Sequence, residues 1–327
     1  MMSDTQNFVP QYPLSTAVLF LIFNRLDTTK QVFKAIRQAK PPYLYVAADG
    51  PRENKEGEVE RVQAVRDYVM DSIDWDCEVK TLFREKNLGC KYAVSGGITW
   101  FFENEDQGII LEDDCLPSQS FFWFCEELLD LYKIDNRIFM ISGYNKKNQY
   151  LEAEKSYFFS NLGGIWGWAS WRRAWQEYDV EMKDIEAFIR QNHFRNLLGN
   201  RLGRLREKEI YQSIVVDKMN TWDYQWGFAR HKNSGISCVP TSSLIENIGF
   251  GPDATHTQGA KDDGVISWEI KFPLKKEKFL ICDKKYDDFF IGLSGFNIKS
   301  FVYGLLKSIP VLRPLLERIK QIFGVWR

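Results

Sequence analysis

The sequence predicts an α/β fold: a mostly parallel sheet with helices on both faces, followed by a C-terminal amphipathic helical tail. Two observations predict the sheet. Short apolar runs rich in β-formers alternate with amphipathic helical segments over the first third of the chain, and each run stops at polar or glycine-containing residues. The tail is predicted by a basic segment at the end of the chain whose apolar residues recur at helical spacing.

Residues 16–23, TAVLFLIF, form a continuous apolar run ending at Asn24–Arg25 and read as a buried strand. DTTKQVFKAIRQA follows, with Asp27 in N-cap position and Val32, Phe33 and Ile36 at helical spacing. YLYVAADGP (43–51) is a second strand, stopped at Asp49–Gly50–Pro51. Residues 53–71 read as a charged amphipathic helix and CEVKTLFR (77–84) as a third strand. CKYAVSGGITWFFEN is helical with a tolerated Gly96–Gly97, and GIILEDD is the fourth strand. SFFWFCEELLDLY is an aromatic-rich helix, and IFMISGYN (138–145) is a further strand. Residues 157–178 run from a strand through a glycine turn into a short helix, on which Trp168, Trp171 and Trp175 would share a face that packs into the core. Residues 184–219 are mixed helix, 221–233 helix, 235–240 strand and 247–257 a glycine-rich loop. Organisation is read as one domain over 12–296 and a tail over 297–327.

Several function classes are excluded or disfavoured. There is no G-x-x-x-x-G-K-[ST] and no G-x-G-x-x-G after the first strand, which argues against a P-loop and a Rossmann dinucleotide site. The six cysteines include no C-x-x-C pair and read as reduced thiols. The opening MMSDTQNFVPQYPLST lacks the pattern of a secretory signal, and no apolar run reaches the roughly 18 residues of a membrane span. The formal charge is −1, yet residues 297–327 hold six cations against Glu317, a net +5, which leaves −6 on the rest. Such a tail suits an anionic membrane surface, or alternatively docking on its own domain or a partner chain. Nucleic acid is not an expected partner. The expected location is cytoplasmic, peripherally associated with the inner face of the cell membrane.

In an open parallel sheet, ligands bind outside the carboxyl ends of the strands. Asn24–Arg25, Asp49 and the triplet Glu112–Asp113–Asp114 all fall there. Adjacent carboxylates at the end of a buried strand suit a hard cation, Mn²⁺ or Mg²⁺, which takes a few carboxylates and fills its shell with phosphate and water oxygens. Asp49 can accept from a nucleobase NH or a ribose hydroxyl, or equally cap a turn. Trp166 and the Gly163–Gly164 turn lie outside the tryptophan stripe and could face a substrate.

The stretches FNR, AADGP, LEDDCLPSQSFFWFCEELLDLY, FFSNLGGIWGWASW, WDYQWGFARH and NIGFGPDATHT, in this order over about residues 16–257, resemble GT-A fold glycosyltransferases. They are most similar to the N-acetylglucosaminyltransferase I type and to bacterial transferases of surface polysaccharide synthesis. The resemblance implies Asn24 and Arg25 beside the nucleotide, Asp49 on the base, Glu112 and Asp113 on the ribose or ordering the site, and Asp114 as the direct metal ligand. It implies a general base in the WDYQW segment, where Asp223 is the available acid, with a buried structural aspartate as the alternative. It also brings His256 close to the metal and diphosphate, against the alternative of an incidental surface histidine. The implied partners are a nucleoside diphosphate-sugar donor, UDP-sugar favoured, and a saccharide acceptor that could be lipid-linked. Two other readings stay open: a sugar-1-phosphate nucleotidyltransferase, whose G-x-G-x-R-x-x-P loop is missing, and a catalytically silent glycan-binding or membrane-scaffold protein.

Overall fold

The computed structural model describes residues 8–150, 155–198, 201–217, 219–250 and 264–291. The tail over 297–327 and His256 lie outside the described residues. The chain runs β1 (Val18–Ile22), α1 (Leu26–Ala39), β2 (Tyr43–Ala48), α2 (Glu58–Asp71), β3 (Glu78–Phe83), α3 (Gly89–Asn104), β4 (Gln107–Glu112), β5 (Cys115–Pro117) and α4 (Ser120–Leu131). It continues with β6 (Ile138–Ser142), β7 (Tyr157–Ser160), β8 (Trp168–Trp171), α5 (Arg172–Trp175), α6 (Ile185–Arg190), α7 (Phe194–Leu197) and α8 (Arg201–Asp217). The last elements are α9 (Asp223–Lys232), β9 (Ile236–Pro240), β10 (Ile245–Asn247) and α10 (Lys284–Ile291). Contacts divide the described residues into two compact units: one holds residues up to Met182 with Asn220–Asp283, the other Lys183–Met219 with Lys284–Ile291.

The first unit carries an eight-stranded sheet in the order β3-β2-β1-β4-β8-β6-β9-β7. β3, β2, β1 and β4 are mutually parallel, as are β6 and β9, while β8 and β7 run antiparallel to their neighbours. This is the mostly parallel, Rossmann-like sheet expected of a GT-A fold. The period-2 alternation of a strand gives each residue of β1 a side. Val18, Phe20 and Ile22 join a core with Val32, Phe33 and Ile36 of α1, Val65 and Val69 of α2, and Phe121 and Phe124 of α4. Leu19 and Leu21 join a second core with Ile98 and Phe101 of α3, Trp175 of α5, and Trp226 of α9. With both faces covered, β1 is buried at every residue, which is why it reads as an unbroken apolar run.

Several elements differ from expectation. α1 begins at Leu26 with Arg25 as its N-cap, so Asp27 sits in the first turn, where a carboxylate favours the helix dipole. α2 starts only at Glu58, and β4 ends at Glu112, leaving Asp113–Asp114 in the turn to β5. Trp168 and Trp171 are not helical: they lie on β8, where three residues' separation turns them to opposite faces. Trp168 enters the α3-side core and stacks on Trp222 at 5.9 Å, whereas Trp171 enters the α1-side core and donates from Nε1 to Leu129 O at 3.2 Å. Both are buried in the core as expected, but β8 has to fit between β4 and β6, and sheet pairing there overrides the helical spacing.

Candidate active site

Strand register assembles the site. Ile22 pairs with Ala48 and Leu21 with Glu112, so β1, β2 and β4 end side by side and release Asn24–Arg25, Asp49–Gly50 and the acidic triplet at one edge. Ile109 and Leu111 face the α1-side core and Ile110 the other, so alternation turns Glu112 toward α3 and α9.

Arg25 ties the triplet together. Its Nη2 donates to Asp113 Oδ1 at 2.5 Å and to Asp114 Oδ2 at 2.9 Å, with all three side chains less than one-fifth exposed. Burial works against the guanidinium's charge, but Asp113 and Asp114 outweigh it and raise its pKa. One cation does not neutralise this site. Burial, then Asp114, Asp113 and Asp223, push the Glu112 carboxyl well above the usual range, with Arg25 opposing. Burial likewise lifts Asp113 to about 6 against the pull of Arg25. Asp113 Oδ2 is buried and has no hydrogen-bond partner among the described residues.

Cys90, in the first turn of α3, marks where the acids converge. Burial raises its thiol pKa, and Glu112, Asp223, Asp49 and Asp114 each add to the shift. Glu112 and Asp114 of the triplet, Asp49 of the β2 loop and Asp223 at the start of α9 therefore all lie within electrostatic reach of Cys90. Asp223 opens α9, half-buried, and accepts from Thr221 Oγ1. Behind it, buried Trp222 and Trp226 pack on Trp168, so the carboxylate stands at the rim of an aromatic core.

Asp49 accepts from the amides of Leu88 at 3.0 Å and Gly89 at 3.0 Å, donors that α3 would otherwise leave unmet. Gly50 N also donates to Oδ1 at 2.9 Å, so three amides already take up most of this carboxylate's lone pairs. Gly50 beside it must lack a side chain, because a Cβ would stand 2.4 Å from the Lys86 carbonyl carbon. Asn24 is turned to Glu58, donating from Nδ2 to Oε1 at 2.9 Å. Trp166 is half-buried between Tyr144, 4.7 Å away, and Phe250, 5.9 Å away, both edge-on. Phe250 follows Gly249, whose backbone lies directly against the Asp114 carboxylate: a Cβ there would be 2.2 Å from Asp114 Oδ2. The antiparallel pairing of β10 with β5, which aligns Asn247 with Cys115, brings this segment in, and Ile248 N donates to Asp114 O at 2.9 Å. The glycine-rich loop thus departs from the triplet itself.

Among the described residues no three His, Cys, Asp or Glu side chains cluster as a metal site. The residues nevertheless fit a hard cation of the Mg²⁺ or Mn²⁺ type. Such ions take one or two carboxylates where substrate oxygens supply the rest, and the surplus negative charge with an orphaned Asp113 oxygen is what a cation would relieve.

Strand ends read from the sequence placed Asn24, Arg25, Asp49, Glu112, Asp113 and Asp114 at one edge, Asp223 came from the resemblance alone, and Arg52, Glu58, Cys90, Thr221 and Gly249 were missed. Gly249 lay inside a noted glycine-rich loop, but nothing local announced its contact with Asp114.

No protein-family model matches the chain, and no curated protein matches it. Among solved structures, the chain is similar to the mannosyltransferase PcManGT from Pyrobaculum calidifontis in complex with GDP-Man and Mn²⁺, at 11% identity over 49% of this chain and 45% of that one, TM-score 0.32. It is similar to an active-site mutant of LgtC, at 13% identity over 68% and 72%, TM-score 0.36. It is also similar to the glycosyltransferase GlyE from Streptococcus pneumoniae, at 14% over 54% and 38%, TM-score 0.29. The chain spans less than half the length of the mannosyltransferase it matches. Among the described residues no helix is long and apolar enough to cross a membrane.

Proposed function

We propose that the chain is a metal-dependent, inverting glycosyltransferase that moves a hexosyl or N-acetylhexosaminyl group from a nucleoside diphosphate-sugar, UDP-sugar favoured, to a saccharide hydroxyl. The observation that carries this reading is the convergence of Glu112, Asp113 and Asp114 with Arg25, Asp49 and Asp223 at the carboxyl edge of the parallel strands.

In this reading Asp223 accepts the proton of the acceptor hydroxyl as that oxygen attacks the anomeric carbon. The bond from that carbon to the diphosphate oxygen breaks on the opposite side, so the configuration inverts and the nucleoside diphosphate leaves. Thr221, donating to Asp223, fixes the carboxylate's orientation. Arg25 holds Asp113 and Asp114 and offers its remaining donors to the leaving group. Glu112 and Asp113 shape the nucleotide side, and Asp49 keeps the start of α3 in place there. Asp114, with His256 from the loop that follows Gly249, would hold Mn²⁺ or Mg²⁺. When bound, the ion supplies positive charge against the departing diphosphate. Trp166 offers an apolar ring to the sugar.

The acceptor is a glycan or lipid-linked saccharide of surface polysaccharide synthesis, and the basic tail over 297–327 holds the protein at the inner face of the membrane. The test is titration with UDP and GDP, with and without Mn²⁺, in the natural protein and in Asp114→Ala. Metal should tighten nucleotide binding in the former and lose its effect in the latter. Affinity indifferent to both changes would overturn the reading.

A further inference from the structure

A second carboxylate network stands apart from the triplet. Glu58, the first residue of α2, is wholly buried, and its carboxylate serves two loops at once. It accepts from Asn24 Nδ2, beyond β1, at 2.9 Å. It also accepts from Arg52, beyond β2, through the backbone N at 2.7 Å and Nε at 2.9 Å, with a further contact from Nη2. The Arg52 guanidinium lies over the Phe23 ring at 5.5 Å, yet 42% of its side chain is exposed. Glu58 engages Nε and Nη2, and Nη1 makes no hydrogen bond among the described residues. A flat cation is thus held rigidly on a ring, with one donor edge unspent.

Its position in the sheet says what that edge would meet. β1 separates β2 from β4, so the loop after β2 stands about two strand spacings, roughly 10 Å, from the acids. A nucleotide with its diphosphate against the β4 acids that extended across the end of β1 would bring its base to the loop after β2. A guanidinium only donates, so it favours uracil O4 or guanine O6 and is mismatched with the amino group that cytosine or adenine carries at the matching position.

We infer that Arg52, positioned by Glu58, reads the base of the donor nucleotide and selects uracil or guanine over cytosine or adenine. The inference rests on the reading of the chain as a nucleotide-sugar transferase and assigns base choice to residues outside the acid cluster. Asn24 shares Glu58 and so fixes the β1 loop relative to Arg52.

The experiment measures dissociation constants of UDP, GDP, CDP and ADP by titration calorimetry in Mn²⁺ buffer, for the full chain, Arg52→Ala and Glu58→Gln. The natural protein should bind UDP or GDP at least roughly tenfold tighter than CDP and ADP, the size of one hydrogen bond to a charged donor. Arg52→Ala should remove most of that preference while holding its affinity for CDP and ADP. Glu58→Gln, which keeps shape but releases the guanidinium, should weaken the preference in part. An Arg52→Ala variant with its preference intact overturns the inference. So does equal weakening of all four nucleotides, the mark of a structural role. Natural protein that binds all four alike overturns base selection and leaves the transferase reading standing, whereas no binding of any nucleotide overturns both.

Discussion

Gly249→Ala tests the closest approach in the site. A Cβ at 249 would stand 2.2 Å from Asp114 Oδ2 and 2.8 Å from both Asp114 Cβ and Cγ, against 3.4 Å for ordinary contact. Rotating the carboxylate would move its oxygen but leave the Asp114 Cβ in place, so a backbone must shift by several tenths of an ångström. The two chains resist, because Ile248 N is bonded to Asp114 O at 2.9 Å and Asp114 Oδ2 is anchored to Arg25 at 2.9 Å. Overpacking of this kind costs about 1–3 kcal/mol of stability. A displacement nearing 1 Å at a reacting group costs on the order of 100-fold in rate. Denaturant unfolding gives the first quantity and kcat/KM with a nucleotide-sugar the second. A double-mutant cycle isolates the cause: Asp114→Gly removes all three clashing atoms, so Gly249→Ala should be nearly neutral in that background, a coupling of about 1–3 kcal/mol. Equal cost in both backgrounds, or no cost in either, would refute the argument.

Three further outcomes are expected. Asp223→Asn should lower kcat by roughly 100-fold or more, the usual contribution of a general base, while calorimetry finds donor binding unchanged; an Asn variant with full turnover would remove Asp223 from the mechanism. His231 is buried, and burial, then Arg230, lower its pKa to about 3 in the fold, so below an unfolded value near 6.5 the unfolded chain gains a proton that the native state refuses. Its stabilising contribution is full above that value and falls with acidification, so from pH 7 to pH 5 the protein should lose about 2 kcal/mol that His231→Leu does not lose, and identical losses in denaturant melts would count against the burial argument. Removal of residues 297–327 should release the protein from anionic vesicles in a flotation assay, and undiminished flotation would end the membrane role of the tail.

Much of the fold was legible because burial on both faces leaves a direct mark. β1, β2 and β6 are apolar almost throughout, β4 has the apolar centre Ile109–Ile110–Leu111, and the helices between them carry their periodicity openly. The acids were legible for the opposite reason: three carboxylates in succession after a buried strand are costly unless something answers them. β8 was misread because tryptophans three and four apart satisfy a helix pattern as well as they satisfy two cores on opposite sides of a sheet. Arg52 and Glu58 were passed over because a charged segment rich in Lys and Glu looks alike whether it is solvated or internally paired.

By itself, the sequence determined the alternation of strand and helix, the strand ends at which Asn24, Asp49 and Glu112 emerge, and the placing of Asp223 beside two tryptophans. Those properties follow from local spacing and hydrophobicity, which act over a few residues. Only the tertiary structure decided that Arg25 clasps Asp113 and Asp114, that Asp49 caps α3, that Glu58 joins two loops, and that Gly249 lies on Asp114. Each joins residues far apart in the chain, and sheet register rather than any local preference sets which carboxylate meets which donor.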